Sequence, residues 1–152
     1  MTGGTGFIGR HVLQPLLARG FEVHATYHTK RGSHPSVIWH KIDLLESAAV
    51  ARLVPRIRAS HLLHLAWYAE HGEFWNSAEN LRWLEASLNL VRRWAESGGR
   101  RIVAIGTSAE YESTGSPAVE GVTPLMPTSL YGAAKSALGG VLAQWASERG
   151  IS

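Results

Sequence analysis

Cysteine is absent from the 152-residue sequence, and aspartate occurs only once, as Asp43. A chain without cysteine forms no disulfide, offers no thiolate nucleophile and binds no metal through sulfur. Its apolar runs all fall short of the ~20 residues that a membrane-spanning helix needs. The N-terminus also lacks the charged and apolar segments of a secretory signal. These absences predict a cytoplasmic protein with no membrane partner.

Basic stripes, metal-ligand clusters and hydrolase motifs are missing as well. The formal net charge is +3 and the basic residues are scattered, so we expect no nucleic-acid partner. The eight histidines include no His-Glu-x-x-His pattern. His61 and His64 stand three residues apart on a predicted strand, which points them to opposite faces. The Gly-x-Ser-x-Gly motif of serine hydrolases is absent. We therefore expect no metal site and no hydrolase triad.

Short apolar runs alternate with helical patterns along the chain. The predicted strands are Phe21 to Tyr27, Val37 to Lys41, His61 to Ala66 and Arg101 to Gly106. Apolar residues at spacings of three and four predict helices between them. Two of these helices contain Pro15 and Pro55 and should be kinked or shortened there. This alternation predicts one α/β domain over residues 1–152, with a doubly wound parallel sheet and helices on both of its faces.

Both ends of the predicted sheet are incomplete. A buried strand should precede the glycine-rich turn that starts at Gly3, but only Met1 and Thr2 stand before it. After the last predicted helix, closed by Gly150, the sequence stops where another strand would be expected. We therefore expect a sheet that is truncated at both ends and a first strand that is incomplete.

The glycine-rich turn is the strongest local motif. It reads TGGTGFIG from Thr2 to Gly9 and opens a predicted helix that runs to about Arg19. Gly3 would permit the tight turn, Gly6 would let backbone amides approach a pyrophosphate, and Gly9 would allow close packing of the helix. A helix N-terminus at this position favours an anion. The turn therefore predicts a dinucleotide site, and a purely structural turn is the alternative.

A tyrosine and a lysine are placed together near the C-terminus. In YGAAK, Tyr131 and Lys135 are four residues apart and share one helix face. The reference pKa of tyrosine is near 10, and a nearby cation lowers it by stabilising the phenolate. Two hydroxyls, Thr107 and Ser108, follow the strand that begins at Arg101, where ligands bind in open α/β sheets. These groups suit proton transfer, whereas loop capping by the hydroxyls is the alternative.

Four sequence blocks together resemble the extended short-chain dehydrogenases/reductases, the group of NAD-dependent epimerases and dehydratases that act on sugar nucleotides. The blocks are TGGTGFIG at residues 2–9, LHLA at 63–66, GTSAEY at 106–111 and YGAAK at 131–135. Their order and approximate spacing agree with the family along essentially the whole chain. The resemblance implies a Rossmann-type fold, an NAD(P) cofactor and a sugar-nucleotide substrate.

The resemblance also implies a role for individual residues. Tyr131 would be the catalytic acid/base, and Lys135 would hold the nicotinamide ribose and lower the tyrosine pKa. The catalytic Ser/Thr falls on Thr107, with Ser108 as the neighbouring candidate. Asp43 would contact adenine, and its alternative role is a helix N-terminal cap. The remaining implied cofactor contacts are Gly3, Gly6, Phe7, Ile8, Gly9, Leu44, Leu65 and Ala66.

Two departures from the family pattern narrow the reaction and the cofactor. Dehydratases of this family place Asp and Glu after the catalytic Thr, but Ser108 and Ala109 stand there, which favours an epimerase or reductase. No acid follows the strand ending near Tyr27 to bind an NAD ribose. Lys30 and Arg31 instead suit a 2′-phosphate, so NADP is favoured and NAD stays open. Solvated loop charges are the alternative for this pair.

Substrate choice in this family lies largely in a C-terminal region that this sequence does not include. The aromatic stretch from Trp67 to Trp75 follows the LHLA block and would form a loop over the site, either as packing or as a substrate contact. Family members often dimerise through helices that include the one with the Tyr-Lys pair, so a homodimer is an open expectation. The alternatives to an active enzyme are a non-catalytic NAD(P)-binding module and an inactive fragment.

Overall fold

The computed structural model describes all residues 1–152 and shows alternating helices and strands. One turn of 3-10 helix, Ser108–Glu110, follows the last strand. None of the helices is both long and apolar enough to cross a membrane. In chain order the elements are α1 Gly9–Ala18, β1 Val23–Tyr27, β2 Val37–Lys41, α2 Ser47–Ile57, β3 His61–His64, α3 Glu79–Glu96, β4 Arg101–Ala104 and α4 Leu130–Glu148.

The strands form two parallel pairs that residues 1 and 2 join. β1 pairs with β2, and β3 pairs with β4. The Met1 carbonyl accepts a hydrogen bond from Thr26 N at 3.0 Å, and Thr2 N donates to the Leu63 carbonyl at 2.9 Å. The order is therefore β2, β1, residues 1–2, β3 and β4. At the outer edge of β4, Ile102 N donates to the Ser152 carbonyl at 2.8 Å. The predicted α/β fold with a parallel sheet is confirmed.

Helices cover the sheet from both faces. Leu13 of α1 packs against β1 and β2 in a small cluster of four buried residues. A larger cluster of nine buried residues lies between the sheet and α2, α3 and α4. Its largest side chain is Trp94, which is 2% exposed and donates from Nε1 to the Ala59 carbonyl at 2.7 Å. The two separate clusters show that the sheet is doubly wound, as predicted.

Three strands are shorter than the sequence indicated. β1 begins at Val23 and not at Phe21, because Phe21 N still bonds to the Leu16 carbonyl at the end of α1. β3 ends at His64, two residues early, because the N–H groups of Leu65 and Ala66 donate to the Thr2 hydroxyl and not to a strand. β4 ends at Ala104, also two residues early. Both helices that contain a proline stop within one turn of it, α1 at Ala18 and α2 at Ile57.

A buried chain of hydrogen bonds connects residue 2 to α3 through His64. The Ser87 hydroxyl donates to the Trp83 carbonyl at 2.6 Å, so its oxygen accepts from His64 Nε2 at 2.8 Å. Nδ1 of His64 is then left to accept from the Thr2 hydroxyl at 2.8 Å. The arrangement therefore requires the neutral imidazole protonated on Nε2. Burial, followed by the Lys135 charge, lowers the pKa of His64 to about 3.

Asn80 organises the loop of residues 67–78 that joins β3 to α3. Its side chain is fully buried, and Oδ1 accepts from Trp67 Nε1 at 2.9 Å. Its Nδ2 donates to the carbonyls of Phe74 at 2.6 Å and Ser77 at 2.9 Å. One amide therefore pairs three groups of the loop, which we call the aromatic loop. Its conformation depends on this residue because unpaired polar groups are costly when buried.

We predict that acid destabilises the protein partly through His64. The unfolded state takes up a proton below its ordinary pKa near 6.5, whereas the folded state does so only near 3. Stability is therefore lost as the pH falls from 6.5 toward 3, with a slope of up to about 1.4 kcal/mol per pH unit from this group. Urea unfolding between pH 7 and pH 5 measures that slope.

The comparison uses His64→Gln, which keeps a donor toward Ser87, and His61→Gln at an exposed position as the matched control. We expect a shallower pH dependence only for His64→Gln. Equal slopes for the wild type and His64→Gln would contradict the assigned neutral imidazole.

We predict that Asn80→Ala lowers the free energy of unfolding by roughly 2–4 kcal/mol, because it leaves the Trp67 indole donor and the Phe74 carbonyl acceptor unpaired. The Ser77 carbonyl keeps its hydrogen bond from the backbone N–H of residue 80. The matched control is Asn76→Ala in the same loop, where an exposed side chain accepts one bond from Leu130 N. Its expected cost is below about 1 kcal/mol. Urea unfolding of both variants checks the difference, and equal costs would refute the role given to Asn80.

Candidate functional site

A cleft of about 500 Å³ lies at the carboxyl ends of the strands, where open α/β sheets bind ligands. The N-terminal end of α1 forms one side of it, and the first turns of α4 form another. The segments that follow β1, β2, β3 and β4 complete its walls. The residues that line it are Gly3, Thr5, Gly6, Phe7, Ile8, Gly9, Thr26, Tyr27, His28, Ile42, Asp43, Leu44, Leu45, Leu65, Ala66, Trp67, Ala69, Trp83, Ile105, Tyr131 and Lys135.

The glycine-rich turn is closely packed. Gly3 has a φ of +65°, and a β-carbon there would lie 2.9 Å from Ala66 N on the neighbouring strand end. A β-carbon at Gly9 would collide with the Gly3 carbonyl oxygen. Side chains at these two positions would therefore force the turn apart, which explains why glycine occupies both. A β-carbon at Gly6 meets only the Gly3 carbonyl, at 3.2 Å.

The start of α1 presents unpaired backbone donors. The N–H groups of Phe7, Ile8 and Gly9 donate no hydrogen bond within the protein. All three residues line the cleft, and the helix that follows them places its positive dipole end there. Phe7 is 77% exposed, and the Arg10 guanidinium lies 5.4 Å from the centroid of its ring. This arrangement can bind an anion such as a phosphate.

Helix α4 brings Tyr131 and Lys135 into the same cleft. The helix begins after Ser129, whose hydroxyl accepts from Gly132 N at 3.1 Å and caps it. Lys135 is only 6% exposed and makes no hydrogen bond or ion pair with the protein. Burial lowers the pKa of Lys135, and the charge of Glu110 opposes this shift. The predicted pair is therefore adjacent and faces one cavity.

The aromatic loop holds Tyr131 in place. The rings of Phe74 and Trp75 meet the Tyr131 ring edge-on, with centroids 4.8 Å and 5.9 Å away. Tyr131 N donates to the Trp75 carbonyl at 2.9 Å, and Leu130 N donates to Asn76 Oδ1 at 3.2 Å. The loop that the sequence placed over the site thus packs against the candidate acid/base.

The predicted hydroxyls lie beside α4 but outside the lining of the cleft. Thr107 Oγ1 accepts from Ala109 N at 3.3 Å, and Thr107 N donates to Glu110 Oε1 at 2.7 Å, so this residue caps the 3-10 turn. Ser108 is exposed. A β-carbon at Gly132 would collide with the Ala109 carbonyl, which shows how closely α4 approaches this turn. The catalytic role of Thr107 or Ser108 stays a prediction.

The adenine and phosphate predictions fall in different surroundings. Asp43 and Leu44 line the cleft, and Asp43 Oδ1 accepts from Leu45 N at 2.9 Å. The N-cap of α2 is Glu46, so the alternative role of Asp43 as a helix cap is wrong. Lys30 and Arg31 are exposed and lie outside the lining of the cleft. His28 lies there, with Nε2 3.7 Å from Asp43 Oδ2.

Several lining residues were not identified from the sequence. Most of them lie at the end of a strand or directly after it, and the rule that ligands bind beyond strand ends would have found them. Trp83 has no such signal, because it lies inside α3 and reaches the cleft only through helix packing. The structure contains no group of three His, Cys, Asp or Glu side chains that could hold a metal. The missed residues are Thr5, Thr26, Tyr27, His28, Ile42, Leu45, Trp83 and Ile105.

Known proteins with similar sequences are sugar-nucleotide enzymes. A UDP-glucose 4-epimerase of Streptomyces lividans is 28% identical over 164 residues, covering 99% of this chain and 48% of that protein. A dTDP-6-deoxy-L-talose 4-dehydrogenase (NAD(+)) of Aggregatibacter actinomycetemcomitans is 30% identical and covers 97% of this chain and 54% of that protein. The chain thus spans about half the length of the curated relatives it matches.

A solved structure shares the fold. The UDP-glucose 4-epimerase of Thermus thermophilus in complex with NAD superposes with a TM-score of 0.82 at 28% identity, over 99% of this chain and 51% of that one. The sequence model of the NAD dependent epimerase/dehydratase family matches residues 1–152. The resemblance stated from the four sequence blocks is therefore confirmed, and this chain belongs to the NAD-dependent epimerase/dehydratase family.

Proposed function

We propose that the chain is the NAD(P)-binding part of an enzyme that epimerises, oxidises or reduces a hydroxyl-bearing carbon of a sugar nucleotide. One observation carries the proposal: Tyr131 and Lys135 face the same cleft as the unpaired amides at the start of α1. The names of the relatives support it, because they are UDP-glucose 4-epimerases and a 4-dehydrogenase of a dTDP-sugar.

The residues present fit a dinucleotide. The free N–H groups of Phe7, Ile8 and Gly9 would bind the pyrophosphate, and the small Gly6 leaves room for it. Lys135 is buried without a hydrogen-bond partner, so its ammonium is available to ribose hydroxyls. Asp43 and Leu44 would contact the adenine end, while Leu65 and Ala66 would line the groove between the two ends.

Side chains of this chain would transfer the proton of the substrate hydroxyl. Tyr131, ionised, would accept the proton of a substrate hydroxyl through its phenolate oxygen and return it in the reverse direction. Lys135 lies one helical turn from Tyr131 and lines the same cleft. A hydroxyl from Thr107 or Ser108 would orient the substrate oxygen. The bound cofactor supplies the group that accepts and returns a hydride.

An epimerase or reductase suits the sequence better than a dehydratase. Elimination needs a further acid and base, and the two positions after Thr107 carry Ser108 and Ala109 in place of a carboxylate pair. A non-catalytic dinucleotide-binding module is the rival function. It would require the amides of α1 but not a tyrosine held beside a buried lysine.

We predict that the chain binds NAD(H) or NADP(H) in this cleft, measured by titration with NADH and NADPH while following fluorescence. Gly6→Trp would fill the phosphate position and weaken binding more than tenfold, or about 1.4 kcal/mol. It should still fold, because a β-carbon at this position meets only the Gly3 carbonyl, at 3.2 Å. Tyr131→Phe should bind nearly normally. A folded chain that binds neither cofactor would reduce the family likeness to shared architecture.

The same titration tests the preference for NADP. Lys30 and Arg31 support a 2′-phosphate site by following β1, whereas the NAD-bound relative supports NAD. The 2′-phosphate site would be established if NADPH binds more tightly than NADH and if a Lys30→Ala/Arg31→Ala double variant abolishes this preference. Tighter NADH binding would contradict it.

We predict that Tyr131→Phe lowers turnover by about 10²–10⁴-fold, the usual contribution of an acid/base group. The assay supplies NAD and UDP-galactose and follows formation of UDP-glucose by NMR. Tyr111→Phe, a tyrosine outside the lining of the cleft, is the matched control and should leave turnover unchanged. Cofactor binding without any conversion by the wild-type chain would favour the non-catalytic module.

A further inference from the structure

Trp67 and Lys135 are in direct contact inside the cleft. The Lys135 ammonium nitrogen lies 4.5 Å from the centroid of the Trp67 ring. Lys135 has no hydrogen-bond or ion-pair partner, so this aromatic face is its one specific contact in the protein. The charge of Glu110 favours the ionised form of Lys135. The contact therefore accounts for how a buried ammonium is tolerated here.

The indole is itself held firmly. Its Nε1 donates to Asn80 Oδ1 at 2.9 Å, and Asn80 is fully buried. The ring also lies 6.4 Å from that of Trp83, at an angle of 38°. A fixed ring matters, because the attraction between a cation and an aromatic face depends on the cation remaining above the face and within about 6 Å. Trp67 thus offers a preformed contact face for the Lys135 ammonium, and we call this indole face the seat.

Burial strengthens the attraction between the Lys135 ammonium and this seat. The electrostatic attraction of a ring for a cation is stronger at desolvated than at exposed sites, and tryptophan is the strongest of the aromatic residues. An ammonium resting on a ring keeps N–H groups that point away from it and can still donate. The cleft on the far side of Lys135 is lined by Tyr131 and the amides of α1. A ligand in the cleft therefore meets donors that are already aimed at it.

We propose that Trp67 is a positioning residue that seats the Lys135 ammonium on its indole face and thereby aims it at the cleft beside Tyr131. The seat itself requires no catalytic activity. Its consequence for ribose binding rests on the proposed function. The groups that face Lys135 are Glu110, whose charge favours the ammonium, and His64, which its neighbourhood keeps neutral.

The seat can be observed directly, because the chain contains only three lysines, Lys30, Lys41 and Lys135. The protein is labelled with [ε-¹³C]lysine and examined by NMR. A group above an indole face experiences its ring current, so the Lys135 ε-CH₂ protons should resonate upfield of those of the two exposed lysines. Lys135→Arg assigns the signal.

Three variants of the indoles then test the cause of that shift. Trp67→Phe should retain a reduced upfield shift, and Trp67→Leu should abolish it. Trp83→Phe alters the neighbouring indole and should leave the signal in place. A pH titration of the same signal should show a lower pKa of Lys135 in Trp67→Leu than in the wild type, because the ring no longer stabilises the cation. Should Trp67→Leu fail to fold, the wild-type shift and its reduction in Trp67→Phe still decide the matter.

Titration with NADH separates this inference from the proposed function. We expect NADH to move the Lys135 signal and Trp67→Leu to weaken binding about tenfold, with Trp67→Phe restoring most of the affinity. If Lys135 is shifted upfield but neither NADH nor NADPH changes its signal, the proposed function fails and the seat stands. If NADH binds while the wild-type Lys135 signal coincides with those of Lys30 and Lys41, the seat is refuted and the proposed function stands.

Discussion

The hydrogen bonds of Met1 and Thr2 connect the two halves of this sheet, because Met1 bonds to β1 and Thr2 bonds to β3. The Thr2 backbone N–H pairs with the Leu63 carbonyl at 2.9 Å, and the Thr2 hydroxyl donates to His64 Nδ1 at 2.8 Å. The same oxygen accepts from the N–H groups of Leu65 and Ala66 at 3.1 Å and 3.2 Å. Because Leu65 and Ala66 form the end of the cleft next to Gly3, Thr2 contributes to the sheet order through its backbone and to the packing of the glycine-rich turn through its hydroxyl. A neutral His64 is required for this, since only an unprotonated Nδ1 accepts.

Glycines on one side of the cleft and large aromatic residues on the other determine its shape. Gly3, Gly9 and Gly132 allow backbones to meet where any side chain would collide. Opposite them, the aromatic loop supplies rings that surround Tyr131 and carry Lys135. Close backbone contacts fix the spacing of the elements, while the aromatic rings provide apolar walls. The surroundings of the Tyr-Lys pair are therefore as specific as the pair itself.

Membership of the NAD-dependent epimerase/dehydratase family suggests one explanation for the α1 amides, Lys135 and Tyr131. An enzyme that moves a hydride and a proton needs an anion site, a cation near the ribose and a group that exchanges a proton. Under the proposed function, the amides of α1, Lys135 and Tyr131 would supply one of each in a single cavity. The chain spans about half the length of the curated relatives it matches, so the reaction and the substrate are proposals for it.

The parts of the fold that depend on local chemistry were predictable. Parallel strands, their order along the chain and the helix after the glycine-rich turn follow from apolar periodicity and from glycine spacing. Strand ends were misplaced at Phe21, Ala66 and Gly106. At Phe21 the end of α1 takes the residue away from the sheet, and at Ala66 and Gly106 the cleft does so. Apolar periodicity in the sequence does not report this competition. The helix-cap alternative for Asp43 failed because Glu46 directly precedes α2 and is its N-cap, whereas Asp43 stands four residues before the helix.

The family, the α/β class and the pairing of Tyr131 with Lys135 are encoded locally, since helical spacing alone puts positions i and i+4 on one face. What these two residues touch depends on how distant parts of the chain pack together. Trp67 and Asn80 are 13 positions apart in the chain, and Lys135 lies far from both, yet they form one continuous set of contacts. Such contacts arise from the packing of α3 and α4 beside the sheet, and no spacing within the sequence encodes them.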